Sequence, residues 1–203
     1  GWTVADLDLI VTHLATLDGL AALRDSALIQ VGYFGAFRRS ELVMLEVHYL
    51  QCEREGLRIT LPRSKTDQEG QGLDKAIPYG DNICCPAKAL RCWLDTAQIE
   101  QGPLFRRISR WGVVGAAPLN VGSVNAILAA RAQEARLSHA PEMSSHSLRR
   151  GLATSAHRAG ADFLEIKRQG GWRHDGTVHG YIEEAGAFEE NAAGSLLRRQ
   201  QDP

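Results

Sequence analysis

Apolar residues open the chain at helical spacing. Val4, Leu7, Ile10, Val11 and Leu14 share one face of a helix that Thr3 is suited to cap, and the same period predicts a second helix from about Leu20 to Tyr33. Gly35 interrupts the pattern, and RRSELVMLE resumes it as a short helix with Leu42 and Leu45 turned inward. The period then drops to two. VHYLQCE, GLRITLP and KAIPY alternate apolar and polar positions around the turn-rich EREG and SKTDQEGQGLD, which predicts three short strands. Helical spacing returns at about 86–97, with Pro86 in the first turn and Ala89, Leu90, Trp93 and Leu94 on one face. Further helices are predicted at about 120–137, 147–159 and 162–169, then a short one carrying Tyr181 and a tail helix near Asn191 to Arg199. These elements imply an α+β fold, mainly α-helical, with a small three-stranded antiparallel sheet.

Length and composition narrow the picture. At 203 residues, one compact domain is expected. Hydrophobic residues at 44% and charged residues at 23% are ordinary for a globular chain, and no apolar run approaches the roughly 18 residues of a membrane span. The opening GWTVADLDLI carries acids and no basic region, unlike a signal peptide. Cys52, Cys84, Cys85 and Cys92 form no paired CxxC, so buried free thiols are expected rather than a zinc site, and a reducing cytoplasm suits them.

Net charge is only −1, but it is unevenly spread. Residues 1–37 hold Asp6, Asp8, Asp18 and Asp25 against Arg24 alone, whereas residues 101–150 hold Arg106, Arg107, Arg110, Arg131, Arg136, Arg149 and Arg150 against Glu134 and Glu142. The tail returns to acid with Glu183, Glu184, Glu189 and Glu190. A basic middle between acidic ends permits a local phosphate-binding surface; an ordinary solvated face would give the same count.

The candidate chemistry gathers in four segments. Metal-free phosphodiester cleavage needs a nucleophile, fixed cations on the non-bridging oxygens and an acid for the leaving oxygen. Arginine suits the cationic role because its fork binds two oxygens and stays charged. MSSHSLRRGLAT sets His146 and Arg149 on one face at the start of a helix, where phosphate is favoured; alternatively Ser144 or Ser145 caps that helix and His146 is a polar first-turn residue. In GAFRRSELVML, Arg38 and Glu41 form either a solvated pair or an arginine steadied by a carboxylate. Lys65 lies in the turn segment LPRSKTDQEG, and GGWRHDGTVHGYIE sets Trp172 behind two glycines with Tyr181 nine residues on. Arg39 and Arg150 adjoin the chosen arginines, but spacing to Glu41 and His146 selects Arg38 and Arg149. His174 and His179 flank the tyrosine as competitors to Trp172. A phenol titrates at about 10 and needs a cationic setting to attack, so the chain must fold back on itself; Gly170, Gly171, Gly176 and Gly180 are expected to allow that path and to leave the tyrosine segment mobile.

In chain order Arg38, Lys65, His146-x-x-Arg149, Trp172 and Tyr181 resemble the catalytic constellation of the tyrosine recombinases, the phage integrase family. GAFRRSEL, RSKTDQEG, MSSHSLRRGLAT, HRAGADFLEIKRQGGW and the closing tyrosine cover nearly the whole chain, and GGW in place of the commoner GH resembles the Cre-like members. The resemblance implies the family's catalytic-domain fold over residues 1–186, with residues 187–203 as a tail whose Phe188, Ala192, Leu196 and Leu197 dock on a neighbouring protomer or on their own domain. It implies that Arg38 and Arg149 clamp the scissile phosphate, His146 assists as acid or base, and Trp172 donates its indole N–H. Lys65 would protonate the departing 5′-oxygen, Glu41 would brace Arg38 or a neighbouring histidine, and Tyr181 would attack to leave a 3′-phosphotyrosyl linkage. Arg39, Arg63, Arg106, Arg107 and Arg150 would contact DNA. No cofactor and no metal is implied; the partners are double-stranded DNA and further copies of the chain, as a homotetramer on DNA and a monomer or weak oligomer without it, with no membrane. Members of the family usually carry an N-terminal helical domain that closes the clamp on DNA; the first helix here resembles the start of the catalytic domain, so the sequence is expected to be a catalytic domain alone or a member without that arm. Two alternatives share the residues: a type IB topoisomerase-like relaxing enzyme, and a noncatalytic DNA-binding module that keeps the fold. A metal-dependent nuclease fits worse, because no carboxylate cluster stands at ligand spacing.

Overall fold

Thr3 begins the first helix of the computed structural model, which describes residues 1–62, 72–188 and 191–197. Its hydroxyl accepts from the Asp6 amide at 3.1 Å while the Asp6 carboxylate accepts from the Thr3 amide at 2.9 Å, closing both ends of a capping box on α1 (Val4–Ala15). Leu7, Ile10, Val11 and Leu14 face inward as their spacing predicts.

The second helix, α2 (Leu20–Phe34), is buried on nearly every side and forms the centre of the molecule. It takes charge inside with it. Asp25 accepts from Arg24 at 2.9 Å and from Arg131 at 2.8 Å, Arg24 also donates to the Arg106 carbonyl, and Arg131 continues to Glu134, which meets His13 at 3.2 Å. Buried charges persist when every partner is present, and this chain of ion pairs ties α1 and α2 to α5 (Val121–Glu134).

After α3 (Arg39–Met44) and a 3₁₀ turn, β1 (Leu50–Cys52), β2 (Gly56–Leu61) and β3 (Leu73–Pro78) form the expected antiparallel sheet in the order β1-β2-β3, with Leu57 opposite Ile77 and Ile59 opposite Lys75. Alternation turns Leu57, Ile59, Leu61, Lys75 and Ile77 inward and leaves Asp74 and Ala76 outside. Helix α4 (Pro86–Thr96) packs along α2, with Trp93 donating its indole N–H to the Leu104 carbonyl at 2.8 Å.

Beyond α4 the structure adds a two-stranded hairpin absent from the expected fold, β4 (Arg106–Ile108) with β5 (Val114–Pro118). Its tip closes on Ser109, whose hydroxyl accepts from the amides of Trp111 and Val113, and most of its side chains stay at the surface. Without a buried face it carries no strong alternation, so the sequence gives little sign of it. Helices α5, α6 (Ser145–Arg158), α7 (Phe163–Gly170), α8 (Asp175–Gly186) and α9 (Ala192–Leu197) complete the described chain.

The thiols divide in a way not expected. Cys84 and Cys85 are buried, but Cys52 and Cys92 are exposed, Cys52 at the end of an edge strand and Cys92 on the outer side of α4. Burial and a 3.3 Å contact with Asp8 push the Cys84 thiol up to about 12, so it stays protonated. Among the described tail residues, Phe188, Leu196 and Leu197 are exposed at 93%, 85% and 80%.

Candidate active site

Arg38 stands immediately before α3, where its amide donates to one Glu41 oxygen at 2.7 Å and its guanidinium to the other at 2.8 Å. Glu41 is largely covered while the Arg38 side chain keeps 55% exposure, so the carboxylate orients a guanidinium that still faces solvent.

Ser144 caps α6 by accepting from the Ser147 amide, which puts His146 in the first turn and Arg149 one turn on. Arg149 is buried beside the Gly35–Ala36 turn. It donates to the Ala36 carbonyl and, at 3.0 Å, to the Gly170 carbonyl, and its guanidinium lies 4.9 Å from the centre of the Trp172 ring. Burial, helped by the nearby Arg38 charge, pulls it down to about 10, with Glu41 and Tyr181 opposing. It therefore remains a cation at neutral pH.

The QGGW segment has a separate task for each residue. Gln169 donates to the carbonyls of Phe34 and Ala76, joining α7 to the end of α2 and to β3. Gly170 offers its carbonyl to Arg149, and a Cβ there would fall 1.9 Å from the Trp172 ring, so no larger residue fits without moving the indole. Gly171 turns the chain at φ +63°. Of the four glycines expected to shape this path, it alone adopts a left-handed conformation: Gly170 ends α7, and Gly176 and Gly180 lie within α8.

Tyr181 sits on α8 with its ring centre 5.6 Å from Trp172 and 6.5 Å from His146. Beneath it, Ala153, Ile166, Trp172 and Val178 form a small separate core. The edge of α8 is held by Arg150, which donates to Glu184 at 2.8 Å, and by Lys167, which reaches Asp175 at 2.6 Å.

Arg38, His146, Arg149, Trp172 and Tyr181 line one cavity of about 670 Å³. Its walls hold three guanidinium groups (Arg38, Arg149 and Arg173, the last not singled out by the sequence), two imidazoles (His146 and His174), an indole and a phenol, a set that can bind one phosphodiester and present a hydroxyl to it. Lys65 and Arg63 lie outside the described residues; Pro62 and Gly72, the described residues on either side of that segment, both line the cavity. His174 also lines it, whereas His179 stacks on Phe163 with centres 4.4 Å apart. Arg39 is exposed off the cavity wall, as is Arg107. Arg150 is engaged by Glu184, and Arg106 donates to the carbonyls of Gln101 and Pro103.

One charged group beside the site has no place in the sequence expectations. Lys75, 4% exposed, donates to the Gly35 carbonyl at 2.5 Å and to the Ala36 carbonyl at 3.2 Å. Burial pulls its ammonium down to about 7; Arg149 and Arg38 push the same way and Glu41 opposes. The signal that could have found it is the alternation of LDKAIP, which sets Lys75 on the same face as Ile77.

Known proteins resemble the chain in sequence and in fold. The Phage integrase family matches residues 3–187 of the chain. An integrase/recombinase xerD homolog of Selenomonas ruminantium is 41% identical over 191 residues, which are 94% of this chain and 56% of that protein. The tyrosine recombinase XerC of Corynebacterium glutamicum is 27% identical over 77% of this chain and 46% of its own length. The chain thus spans about half the length of the curated relatives it matches. Among solved structures, XerA recombinase aligns with a TM-score of 0.68 at 18% identity, covering 94% of this chain and 63% of that one. XerH site-specific recombinase, bound to palindromic difH substrate in a post-cleavage complex, aligns at 0.69 with 17% identity, over 94% of this chain and 53% of that one. At those identities the likeness is one of fold.

Proposed function

The chain belongs to the phage integrase family, and on that premise we propose that it is the catalytic domain of a site-specific DNA recombinase that cuts and rejoins strands without metal through a 3′-phosphotyrosyl intermediate. The observation that carries the proposal is the single cavity shared by Arg38, Arg149 and Tyr181.

In this reading the scissile phosphate lies between the two guanidinium groups, which offset the charge that builds on its non-bridging oxygens. Tyr181 attacks phosphorus, the P–O5′ bond breaks, and the 5′-hydroxyl leaves with a proton from Lys65. His146 takes or returns the phenolic proton, and the Trp172 indole, a donor only, binds a phosphate oxygen. The phosphotyrosyl ester conserves the bond energy, so the 5′-hydroxyl of a second strand reverses the step without ATP. Duplex DNA is the proposed substrate, with Arg39, Arg63, Arg106, Arg107 and Arg150 as candidate contacts, and the cytoplasm the proposed compartment. Two of those contacts compete with internal ties, since Arg106 and Arg150 already have partners within the fold.

The working assembly is proposed to be a homotetramer on DNA. The exposed apolar side chains of Phe188, Leu196 and Leu197 support docking of residues 187–203 on a neighbouring protomer rather than on their own domain.

The test is a nicked suicide DNA substrate incubated with the chain in chelator, at low salt because phosphate contacts weaken as salt rises. A covalent protein–DNA band is expected. Tyr181→Phe should abolish it while leaving the thermal unfolding transition in place; a band that persists in Tyr181→Phe removes Tyr181 as nucleophile, and no band from the unmutated chain favours the noncatalytic module.

A further inference from the structure

We infer that Lys75 is a positioning residue for strand cleavage: from beneath the Gly35–Ala36 turn it sets the spacing of the two arginines that receive the phosphate. The inference rests on the cleavage reading above.

Lys75 does not line the cavity, so it acts through other groups. Its ammonium donates to the Gly35 and Ala36 carbonyls and lies 4.7 Å from the centre of the Phe37 ring, filling the space between sheet and turn. The Ala36 carbonyl also accepts from Arg149, so a single oxygen joins β3 to α6. Ala36 itself has φ +49°, a conformation that residues with a Cβ adopt at a cost and keep only where their surroundings impose it. Two residues later Arg38 caps the start of α3. The height and tilt of this turn therefore set Arg149 by a hydrogen bond and Arg38 by chain continuity.

The inner face of β3 offers a reason to see more than packing in this cation. Ile77, next on that face, is apolar, and an apolar residue at position 75 would avoid the penalty of burying an ammonium. What an apolar side chain cannot supply is donation to the Gly35 and Ala36 carbonyls, which both accept from this face of the sheet. Loss of that donation leaves the Ala36 carbonyl to Arg149 alone and frees the turn to relax toward the cavity. Displacements on the order of 1 Å at a reacting centre cost about 100-fold in rate.

The experiment measures the rate of covalent complex formation on the suicide substrate across a series of DNA concentrations, for the unmutated chain, Lys75→Met and Lys75→Arg, with thermal unfolding recorded for each. Lys75→Met is expected to lower the rate at saturating DNA by about 10- to 100-fold while the half-saturating DNA concentration moves less than about threefold. Lys75→Arg, which keeps charge and donors, is expected to recover most of the rate. The inference is overturned if Lys75→Met keeps its plateau within about twofold, if only the half-saturating concentration moves, or if Lys75→Arg is as slow as Lys75→Met. If Lys75→Met does not fold, Lys75→Gln, a neutral donor, replaces it under the same plateau criterion. Failure of all three variants to fold would make Lys75 a structural residue and overturn the inference as well. No covalent band from the unmutated chain is a different result, the failure of the cleavage reading itself.

Discussion

The two arginines and the tyrosine meet in one cavity but stand on unequal ground. Arg38 and Arg149 are fixed against the main core: the turn that orients them follows α2, the most enclosed helix, and is braced by Lys75 from the sheet. Tyr181 rides on α8, whose inner side meets a small core of Ala153, Ile166, Trp172 and Val178, with Ala156, Ala161, Phe163 and Ile182 half-buried against it, and whose outer edge is held by the exposed pairs Arg150–Glu184 and Lys167–Asp175. Exposed pairs of this kind contribute about 0–1 kcal/mol each. The half carrying Arg38 and Arg149, the proposed phosphate site, is therefore the more deeply anchored half, and Tyr181, the proposed nucleophile, sits on the less anchored segment.

The largest effect should come from the rigid side. Leu28, fully buried on α2, should cost about 2–5 kcal/mol when changed to Ala, seen as a shift of the whole denaturation curve with every probe moving together. Next comes pH. Lys75 titrates near 7 in the folded chain against an ordinary value of 10.5. Below about pH 7 both states carry the proton and the cost of burying it is undiminished; between about 7 and 10.5 the unfolded chain holds a proton that the folded chain has released, so stability rises with pH. The slope is at most about 1.4 kcal/mol per pH unit, and Lys75→Met should flatten it in chemical denaturation between about pH 7 and 8.5, below the range where Cys84 opposes it. That window stops short of Tyr33, whose phenol burial raises to about 12, and which lowers stability as pH climbs from 10 toward that value. The smallest global effect, and the sharpest test of the contrast, is Val178→Ala. It removes buried methyl groups from the small core and should cost about 1–2 kcal/mol. Hydrogen exchange in residues 175–186 should accelerate while α2 amides keep their protection; equal acceleration in both would mean that the two cores open together.

Much of the scaffold was legible because local rules and tertiary demands agree. Thr3, Pro86 and Ser144 mark helix starts that the structure keeps, and the inward positions of α1 follow its apolar spacing. Where a segment has no buried face, as in the β4–β5 hairpin with its exposed Trp111 and Val113, periodicity carries no signal. The exposure of Cys52 and Cys92 was hidden for a related reason: residue type predicts burial on average, and position on the edge strand and helix decides it. In the site, spacing to Glu41 and His146 singled out Arg38 and Arg149, and these, not Arg39 and Arg150, line the cavity: Arg38 meets Glu41 as the residue that caps α3, and Arg149 shares a helical face with His146. Glu184 as the partner of Arg150, and Gly170 as the acceptor for Arg149, were not legible, since they join residues 34 and 21 positions apart.

By itself, then, the amino-acid order determined the helices, the three-stranded sheet and the order of the residues that match the family. These are properties of neighbours a few positions apart, where backbone geometry converts spacing into direction. Only the tertiary structure decided that Ala36 offers one carbonyl to both Lys75 and Arg149, and that the phenol stands on a thin core while the arginines stand on a deep one. Both depend on which surfaces of distant elements come into contact, and close packing settles that for the whole chain at once.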